Sequence, residues 1–198
     1  MPTTFDQRYF DKWYRGNRLR VRTAAGVRRH AMLAVAAAEY LLERPVRRVL
    51  DVACGEGIWH SALRALRPRA AYVGVDTSEY VVRRFGARRN VQFGGFGDLD
   101  VRDDVERFDL VVCVDALHYM KPDEIVRGAR VLGERLNGVA LLHAFARGDD
   151  IEGDVAGLTY RSARWYRDTF RRAGLTPIGL GLWVGEPLAG ALVALEAG

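Results

Sequence analysis

The stretch Val49-Leu50-Asp51-Val52-Ala53-Cys54-Gly55-Glu56-Gly57 decides the fold of this chain. It joins a hydrophobic run to a turn with two glycines, and the helical pattern of residues 58–66 follows at once. Glycine suits a turn in which φ is positive or in which a ligand lies against the backbone. In open α/β sheets such a turn lies at the carboxyl end of a strand, where ligands bind. The pattern therefore predicts a strand, a ligand-binding turn and a helix.

The next strand narrows the choice of ligand. Residues 71–75 read as a strand that ends in Asp76, 19 residues after Gly57, and a carboxylate there can accept hydrogen bonds from two ribose hydroxyls. A dinucleotide site looks similar up to this point, since its fingerprint is Gly-x-Gly-x-x-Gly with an acid about 20 residues later. The third glycine would fall at position 60, where the chain has His60 after Trp59. These bulky side chains argue against nicotinamide or flavin binding.

Residues Val49 to Gly57 resemble the first motif of the class I S-adenosylmethionine-dependent methyltransferases, with Ala53 in place of the first of its three glycines. The resemblance continues in order through Asp76, residues 97–99 and residues 108–115, and it covers about residues 28–196. It implies an α/β, Rossmann-like fold with helices on both faces of a seven-stranded sheet. It also implies a mostly parallel sheet in the order 3-2-1-4-5-7-6 with strand 7 antiparallel, and S-adenosyl-L-methionine as the cofactor.

The cofactor-binding residues that the resemblance implies lie at strand ends and in the N-terminal segment. They are Trp13, Tyr14, Arg22, Asp51, Ala53, Gly55, Gly57, Asp76, Thr77, Asp98, Leu99, Asp115 and His118. In this arrangement Asp98 accepts a hydrogen bond from the adenine amine and the amide of Leu99 donates to the ring; an ordinary Gly-Asp turn is the alternative. Arg22 is the preferred partner for the methionine carboxylate, whereas most of the neighbouring arginines are expected to be solvated.

Aromatic residues recur at helical spacing near the N-terminus. Phe5, Tyr9, Phe10, Trp13 and Tyr14 predict an amphipathic helix with an aromatic face within residues 5–22. This face either packs on the core or, as in related methyltransferases, covers the cofactor, where Trp13 and Tyr14 would shield the positively charged sulfonium. We therefore expect one domain over residues 1–198, made of an N-terminal lid segment, 1–27, and a Rossmann-like core, 28–198.

The end of the fourth strand bears on the acceptor. Methyltransferases that act on nucleobase amino groups share an Asn/Asp-Pro-Pro-Tyr/Phe turn here, but this chain has Asp115-Ala116-Leu117-His118-Tyr119 and so resembles the small-molecule enzymes. His118 either packs against the cofactor loop or acts as a base. His143, on the fifth strand, either bonds a backbone group in the core or acts as a base. The expected reaction is methyl transfer to a small-molecule oxygen, nitrogen or carbon, for which positioning alone can suffice.

Composition agrees with one enzyme domain inside the cell. The chain has 198 residues, 49% of them hydrophobic, which suits one core and is too short for two large domains. No apolar run reaches the roughly 18 residues of a membrane helix, and the first residues lack the regions of a signal peptide. A cytoplasmic protein with no membrane partner is therefore expected. Cys54 and Cys113 are expected to be reduced and packed, and no metal-ligand spacing occurs.

The formal charge of +5 comes almost wholly from arginine. The arginines are spread over most of the predicted helices, so a nucleic-acid partner is not favoured. Two alternatives stay open. An RNA or protein methyltransferase would use the arginine-rich faces and be sensitive to salt, and a cofactor-binding protein of the same fold would transfer no methyl group.

Several element boundaries are expected from local signals. The third strand is predicted over residues 91–96, and a helix over 123–136 is expected to end at Asn137-Gly138 before a strand over 139–145. Acids and glycines between residues 147 and 160 predict an exposed loop that belongs to a substrate gate. Two final strands, 176–184 and 188–196, are predicted to form a hairpin around Gly185-Glu186-Pro187.

Overall fold

A seven-stranded sheet organises the computed structural model, which describes residues 5–15, 23–101, 107–151, 154–194 and 196. The strands are β1 (Arg48–Val52), β2 (Ala71–Asp76), β3 (Val91–Phe93), β4 (Phe108–Val114), β5 (Leu136–His143), β6 (Thr176–Gly179) and β7 (Leu182–Val184). Their order is β3-β2-β1-β4-β5-β7-β6. β7 is antiparallel to both β5 and β6, while the other pairs are parallel. The predicted fold class and strand order are confirmed.

Helices cover both faces of this sheet. They are α1 (Gln7–Phe10), α2 (Ala24–Leu42), α3 (Ile58–Leu66), α4 (Glu79–Arg89), α5 (Pro122–Arg135), α6 (Ala163–Arg172) and α7 (Glu186–Ala189). A π-helical turn, Asp11–Arg15, continues α1, and 3₁₀ turns span Phe96–Val101 and Leu117–Tyr119. Side-chain oxygens begin α2 and α4, because Thr23 accepts from the amide of Gly26 and Ser78 from that of Val81. Among the described helices, none has both the length and the apolar character needed to cross a bilayer.

Two hydrophobic cores lie on opposite faces of the sheet, because successive strand residues point to opposite sides. In β4, Leu110 and Val112 pack with α2 and α3, whereas Val111 and Cys113 pack with α5 and α6. A third cluster joins Phe10 of α1 to residues of α4 and the end of β1. The two cysteines are buried and free. The cores fix the strand ends, and the strand ends form the site described below.

The predicted C-terminal hairpin is wrong in its turn and in its second strand. The hairpin consists of β6 and β7, and its tip is Leu180 with Gly179 and Gly181 on either side. All three have positive φ, which interrupts the single strand expected over residues 176–184. Residues 186–189 form α7 instead of a turn, since proline is tolerated in the first turn of a helix.

Two further boundaries differ from the prediction. β5 begins at Leu136, directly after α5, so Asn137 and Gly138 lie inside a strand. Glycine at position 138 permits close approach, because a Cβ there would lie 2.1 Å from the carbonyl oxygen of Asp109 on β4. β3 ends at Phe93, and residues 96–101 turn into a 3₁₀ helix instead of extending the strand.

Candidate functional site

A cavity of about 240 Å³ lies at the carboxyl ends of β1, β2 and β4. Its walls come from the turn after β1, the end of β2, the segment after β3, the segment after β4, and the N-terminal helix. The lining residues are Phe5, Tyr9, Phe10, Tyr14, Ala53, Gly55, Asp76, Thr77, Gly94, Gly95, Phe96, Gly97, Asp98, Val114, Asp115, Ala116, Tyr119, Met120 and Glu124. This position is the ligand-binding edge of an open α/β sheet.

The turn after β1 brings bare backbone to the cavity. Gly55 has φ +53°, and Ala53, two residues earlier, has φ +54° although it carries a Cβ. The turn closes through hydrogen bonds from the amide of Cys54 to the carbonyl of Val75, 3.1 Å, and from the amide of Gly57 to the carbonyl of Cys54, 2.9 Å. A Cβ at Gly55 would lie 3.3 Å from the ring of Phe10. Glycine at position 55 is therefore required by both the backbone angle and the available space.

Asp76 forms the buried anionic part of the cavity. Only 7% of the residue is exposed, and its two oxygens accept the amides of Gly55, 2.7 Å, and Ser78, 2.8 Å. Burial raises the pKa of this carboxyl group, and the two amide donors oppose the shift. Each carboxylate oxygen can accept a second hydrogen bond. Asp76 thus links the turn after β1 to α4 and retains capacity for ligand hydroxyls.

The segment after β3 forms a second polar wall. The carboxylate of Asp98 accepts a hydrogen bond from the amide of Gly95, 3.0 Å, and both residues line the cavity. Gly97 lies against α5, where a Cβ would come within 3.0 Å of the Cα of Glu124. Leu99 points into the core and is buried. Asp98 of the predicted adenine loop thus lines the cavity, while the side chain of Leu99 packs in the hydrophobic core beneath the loop.

An acid and a histidine meet at the ends of β4 and β5. Nδ1 of His143 lies 2.5 Å from Oδ1 of Asp115, and the amide of Asp115 donates to the carbonyl of His143, 3.1 Å. Asp115 lines the cavity and has φ +58°. The side chain of Asp115 is 21% exposed and that of His143 is 45% exposed. In the tautomer in which Nδ1 of His143 donates to Asp115, Nε2 carries the lone pair of the ring and can accept a proton.

His118 has a different environment. It is buried, and its Nδ1 accepts a hydrogen bond from the amide of Phe145 at 3.2 Å. Burial lowers the pKa of His118 to about 4, and the nearby carboxylate of Asp115 opposes this shift only in part. The imidazole of His118 is therefore neutral near pH 7. Neither His118 nor His143 is among the described residues that line the cavity. These contacts fit the packing interpretation of His118 better than the base interpretation.

The N-terminal helix lies over the cavity. Phe10 is 3% exposed and packs on the turn after β1, and the hydroxyl of Ser78 donates to the carbonyl of Phe5 at 2.5 Å. Arg15 contacts the carboxylates of Asp11 and Glu56. Nζ of Lys12, by contrast, lies over the ring of Trp13, 4.3 Å from the ring centre. Trp13 is not among the described residues that line the cavity.

Tyr119 connects this helix to the loop after β5. Its ring lies edge-on to Phe5, with centres 5.8 Å apart, and its hydroxyl donates to the carbonyl of Asp154 at 2.6 Å. Burial raises the pKa of Tyr119 to about 12, so the hydroxyl keeps its proton near pH 7. Tyr9, Phe10 and Tyr119 line the cavity but were not among the predicted cofactor-binding residues. Tyr9 and Phe10 share the aromatic periodicity of Tyr14, and Tyr119 belongs to the segment after β4 that bears on the acceptor.

The structure brings about half of the predicted cofactor residues together. Those that line the cavity are Tyr14, Ala53, Gly55, Asp76, Thr77, Asp98 and Asp115. Trp13, Gly57, Leu99 and His118 are outside this lining, and Arg22 lies outside the described residues. Asp51 is also outside: it is buried and accepts a hydrogen bond from the hydroxyl of Tyr72, 2.6 Å. Gly57, with φ +72°, begins α3.

Comparison with known protein families agrees with this geometry. Residues 50–138, which run from the middle of β1 to the first residues of β5, match a family model described as a methyltransferase domain. An uncharacterized protein of Synechococcus sp. is 30% identical over 111 residues, which are 52% of this chain and 26% of that protein. The chain thus spans about a quarter of the length of this relative.

Solved structures share the fold at low sequence identity. DesVI of Streptomyces venezuelae superimposes with a TM-score of 0.64 at 18% identity, over 82% of this chain and 91% of DesVI. An S-adenosylmethionine-dependent methyltransferase of Archaeoglobus fulgidus gives 0.62 at 14% identity, over 85% of this chain and 73% of the other. The O-methyltransferase of a Brevibacillus brevis polyketide synthase, solved with S-adenosyl-L-homocysteine, gives 0.55 at 18%, over 74% and 52%.

Proposed function

We propose, from the premise that the chain belongs to the class I S-adenosylmethionine-dependent methyltransferases, that it transfers a methyl group to a hydroxyl of a small-molecule acceptor. The observation that carries the choice of a hydroxyl is the 2.5 Å contact between His143 and Asp115, a residue of the cavity wall. The O-methyltransferase of Brevibacillus brevis, which shares the fold, supports the same choice.

The residues of the cavity fit S-adenosyl-L-methionine. Gly55 offers bare backbone at positive φ, Asp76 offers a buried carboxylate with unused lone pairs, and Asp98 offers a second carboxylate on the neighbouring wall. We assign Gly55 to the methionine half, Asp76 to the ribose hydroxyls and Asp98 to the adenine amine. When bound, this cofactor supplies an electrophilic methyl group on a sulfonium centre. The aromatic rings of Phe10 and Tyr14 on the same wall favour such a cation.

Positioning lowers most of the barrier. The side chains of Phe5, Tyr9, Phe10 and Tyr14 line the cavity, and when they close over bound ligands they exclude water from it. Holding acceptor and donor in line within a dry site contributes roughly 7–11 kcal/mol. We infer that residues 5–15 act as a lid, because they precede every strand of the sheet and their aromatic rings line the cavity. Their backbone amides should gain protection from hydrogen exchange when S-adenosyl-L-homocysteine binds.

A hydroxyl acceptor needs a base as well. As the acceptor oxygen forms its bond to the methyl carbon, the carbon–sulfur bond would break and release S-adenosyl-L-homocysteine, and Nε2 of His143 would accept the hydroxyl proton. Asp115 holds the imidazole through Nδ1 and stabilises the imidazolium that results. A neutral amine attacks without prior loss of a proton. The pair therefore distinguishes hydroxyl transfer from amine transfer.

The test uses methyl transfer from labelled S-adenosyl-L-methionine to matched panels of small hydroxyl and amine acceptors. His143→Ala and Asp115→Asn should lower kcat for hydroxyl acceptors by about 10²–10⁴-fold. The affinity of His143→Ala for S-adenosyl-L-homocysteine should stay unchanged. His30→Gln, on α2, is the matched histidine control and should keep the parent rate. Transfer to amines alone, or a His143→Ala enzyme with the parent rate on hydroxyls, would overturn the proposal.

A further inference from the structure

A second cavity, of about 340 Å³, lies between α6, β5 and the hairpin of β6 and β7. Its walls are mainly apolar and include Leu142, Phe170, Leu182 and Trp183. The rings of Phe170 and Trp183 meet edge to face, with centres 5.1 Å apart. Pockets for small ligands begin at about 300 Å³ and are mostly apolar with a few polar groups. This cavity has the size and the lining of such a pocket.

The hairpin tip presents an unusual residue to this cavity. Leu180 lines it, is 78% exposed, and has φ +53° between Gly179 and Gly181. A leucine in the left-handed region is strained, and its exposed side chain gains little from burial. Strain of this kind is concentrated at functional sites. A bound apolar group that covers Leu180 would account for leucine at a position whose backbone suits glycine.

The cavity also has a positive charge at its rim. Arg167 of α6 lines the cavity and is exposed, and none of the carboxylates in the described ranges lies within 4.0 Å of its guanidinium. Among the described lining residues the only acid is Asp149, which instead accepts a hydrogen bond from the amide of Ala146 at 2.8 Å. A guanidinium at the edge of an apolar pocket fits a ligand with an apolar body and an anionic group, above all a carboxylate.

The segment after β4 and the end of β5 lie between the two cavities. Ala116 lines the first cavity and Leu117, the next residue, lines the second. Leu142 and Ala144 line the second cavity, whereas His143 between them points to the other face of β5 and bonds to Asp115 of the first. An acceptor held in the second cavity therefore passes over the end of β5 to reach Nε2 of His143. The proposed base thus belongs to the segment that separates the cofactor cavity from the apolar one.

We propose that the second cavity binds the apolar body of the acceptor, and that the acceptor carries a carboxylate that pairs with Arg167. The substrate class is then a hydroxylated carboxylic acid with an apolar skeleton. The identification of the ligand as the acceptor rests on the proposed function. The existence of the site rests only on the cavity, Leu180 and Arg167.

The binding test uses octanoate and 1-octanol as probes, titrated calorimetrically into the full chain saturated with S-adenosyl-L-homocysteine. Ala163→Trp places a ring at an exposed lining position on the first residue of α6 and should weaken both probes at least tenfold. Arg167→Gln should weaken octanoate by about threefold to fivefold and leave octanol unchanged, since an exposed ion pair contributes that much. Arg164→Gln, on the same helix but outside the lining, is the matched control and should change neither.

Equal octanoate affinity in the parent, Ala163→Trp and Arg167→Gln proteins would overturn the site. So would S-adenosyl-L-homocysteine binding with no octanoate binding. Failure of the cofactor product itself to bind would instead count against the proposed function. The link to catalysis is tested by transfer to hydroxy acids and to their methyl esters: the acids should be preferred by the parent and lose that preference in Arg167→Gln. A parent enzyme that does not distinguish acids from esters would overturn the assignment of a carboxylate acceptor.

Discussion

The carboxyl edge of the sheet has two halves that are built in different ways. At the ends of β1 and β2 the backbone forms the site: Gly55 leaves space, and the amides of Gly55 and Ser78 hold the carboxylate of Asp76. At the ends of β4 and β5 side chains form it, through the pair of Asp115 and His143. The half that we assign to the cofactor therefore depends on backbone geometry, while the half that we assign to the acceptor depends on which side chains meet across two strands.

The strongest test of the backbone half is Gly55→Val. Valine at φ +53° is strained, and its side chain would displace Phe10, so we expect binding of S-adenosyl-L-homocysteine to weaken by more than about 100-fold. Calorimetric titration measures the loss, and circular dichroism checks the fold. Gly190→Val is the control, because φ is negative there and a Cβ would meet open space. A Gly55→Val protein that binds as the parent does would mean that the ligand does not cross this turn.

The pH dependence of the unfolding free energy tests whether His118, next to the acceptor half, is buried and neutral. Because burial lowers its pKa from 6.5 to about 4, the folded protein binds fewer protons than the unfolded chain between these values. The contribution of His118 to stability is fully present above pH 6.5 and is lost as the pH falls towards 4, by up to about 3 kcal/mol. Urea unfolding across this range measures it. His118→Asn should show a shallower decline than His30→Gln; equal slopes in both would contradict a buried neutral His118.

Asp76→Ala tests whether one carboxylate both builds the backbone half and binds the ligand. We expect at least a tenfold loss of affinity for S-adenosyl-L-homocysteine, since one charge-assisted partner contributes about 1.5–3 kcal/mol. Unfolding free energy should also fall by about 1–3 kcal/mol, because the amides of Gly55 and Ser78 lose their acceptor. Asp123→Ala, an exposed acid on α5, is the control. If Asp76→Ala lowers the unfolding free energy but leaves the affinity for S-adenosyl-L-homocysteine unchanged, Asp76 has only a structural role.

The smallest expected effect is at the hairpin tip. Leu180→Gly relieves a left-handed leucine and should raise the unfolding free energy by about 0.5–1 kcal/mol, the strain removed less the entropy that glycine adds to the unfolded chain. Val126→Gly, at an exposed position inside α5, should lower it by a similar amount. Denaturant titration compares the two variants. If Leu180→Gly is stabilised yet binds octanoate more weakly, the strain serves ligand binding; destabilisation would mean that the leucine serves the fold.

Prediction from sequence succeeded where the signal is local. The hydrophobic run before Gly55, the strand that ends in Asp76 and the N-cap at Ser78 each depend on a few neighbouring residues, and each lies where it was expected. The final hairpin was misplaced because Gly185 and Pro187 offered a stronger turn signal than the Gly179-Leu180-Gly181 tip that the backbone uses. The end of α5 was wrongly predicted at Asn137-Gly138 for a similar reason. Glycine at position 138 does not form a turn but permits the close approach of β4 and β5.

The sequence by itself determined where the first strands lie along the chain, the glycine turn after β1 and the acid that ends β2, because backbone angles and hydrophobic periodicity are local properties. Only the tertiary structure decided which histidine meets an acid. His143 and Asp115 are 28 residues apart and touch because β4 and β5 are neighbouring parallel strands, in which Val114 lies opposite His143. His118 is only three residues from Asp115, yet the fold buries it and gives its Nδ1 to the amide of Phe145. Contacts between strands and the cost of burying a charge are properties of the packed chain, and these set the chemistry of each imidazole.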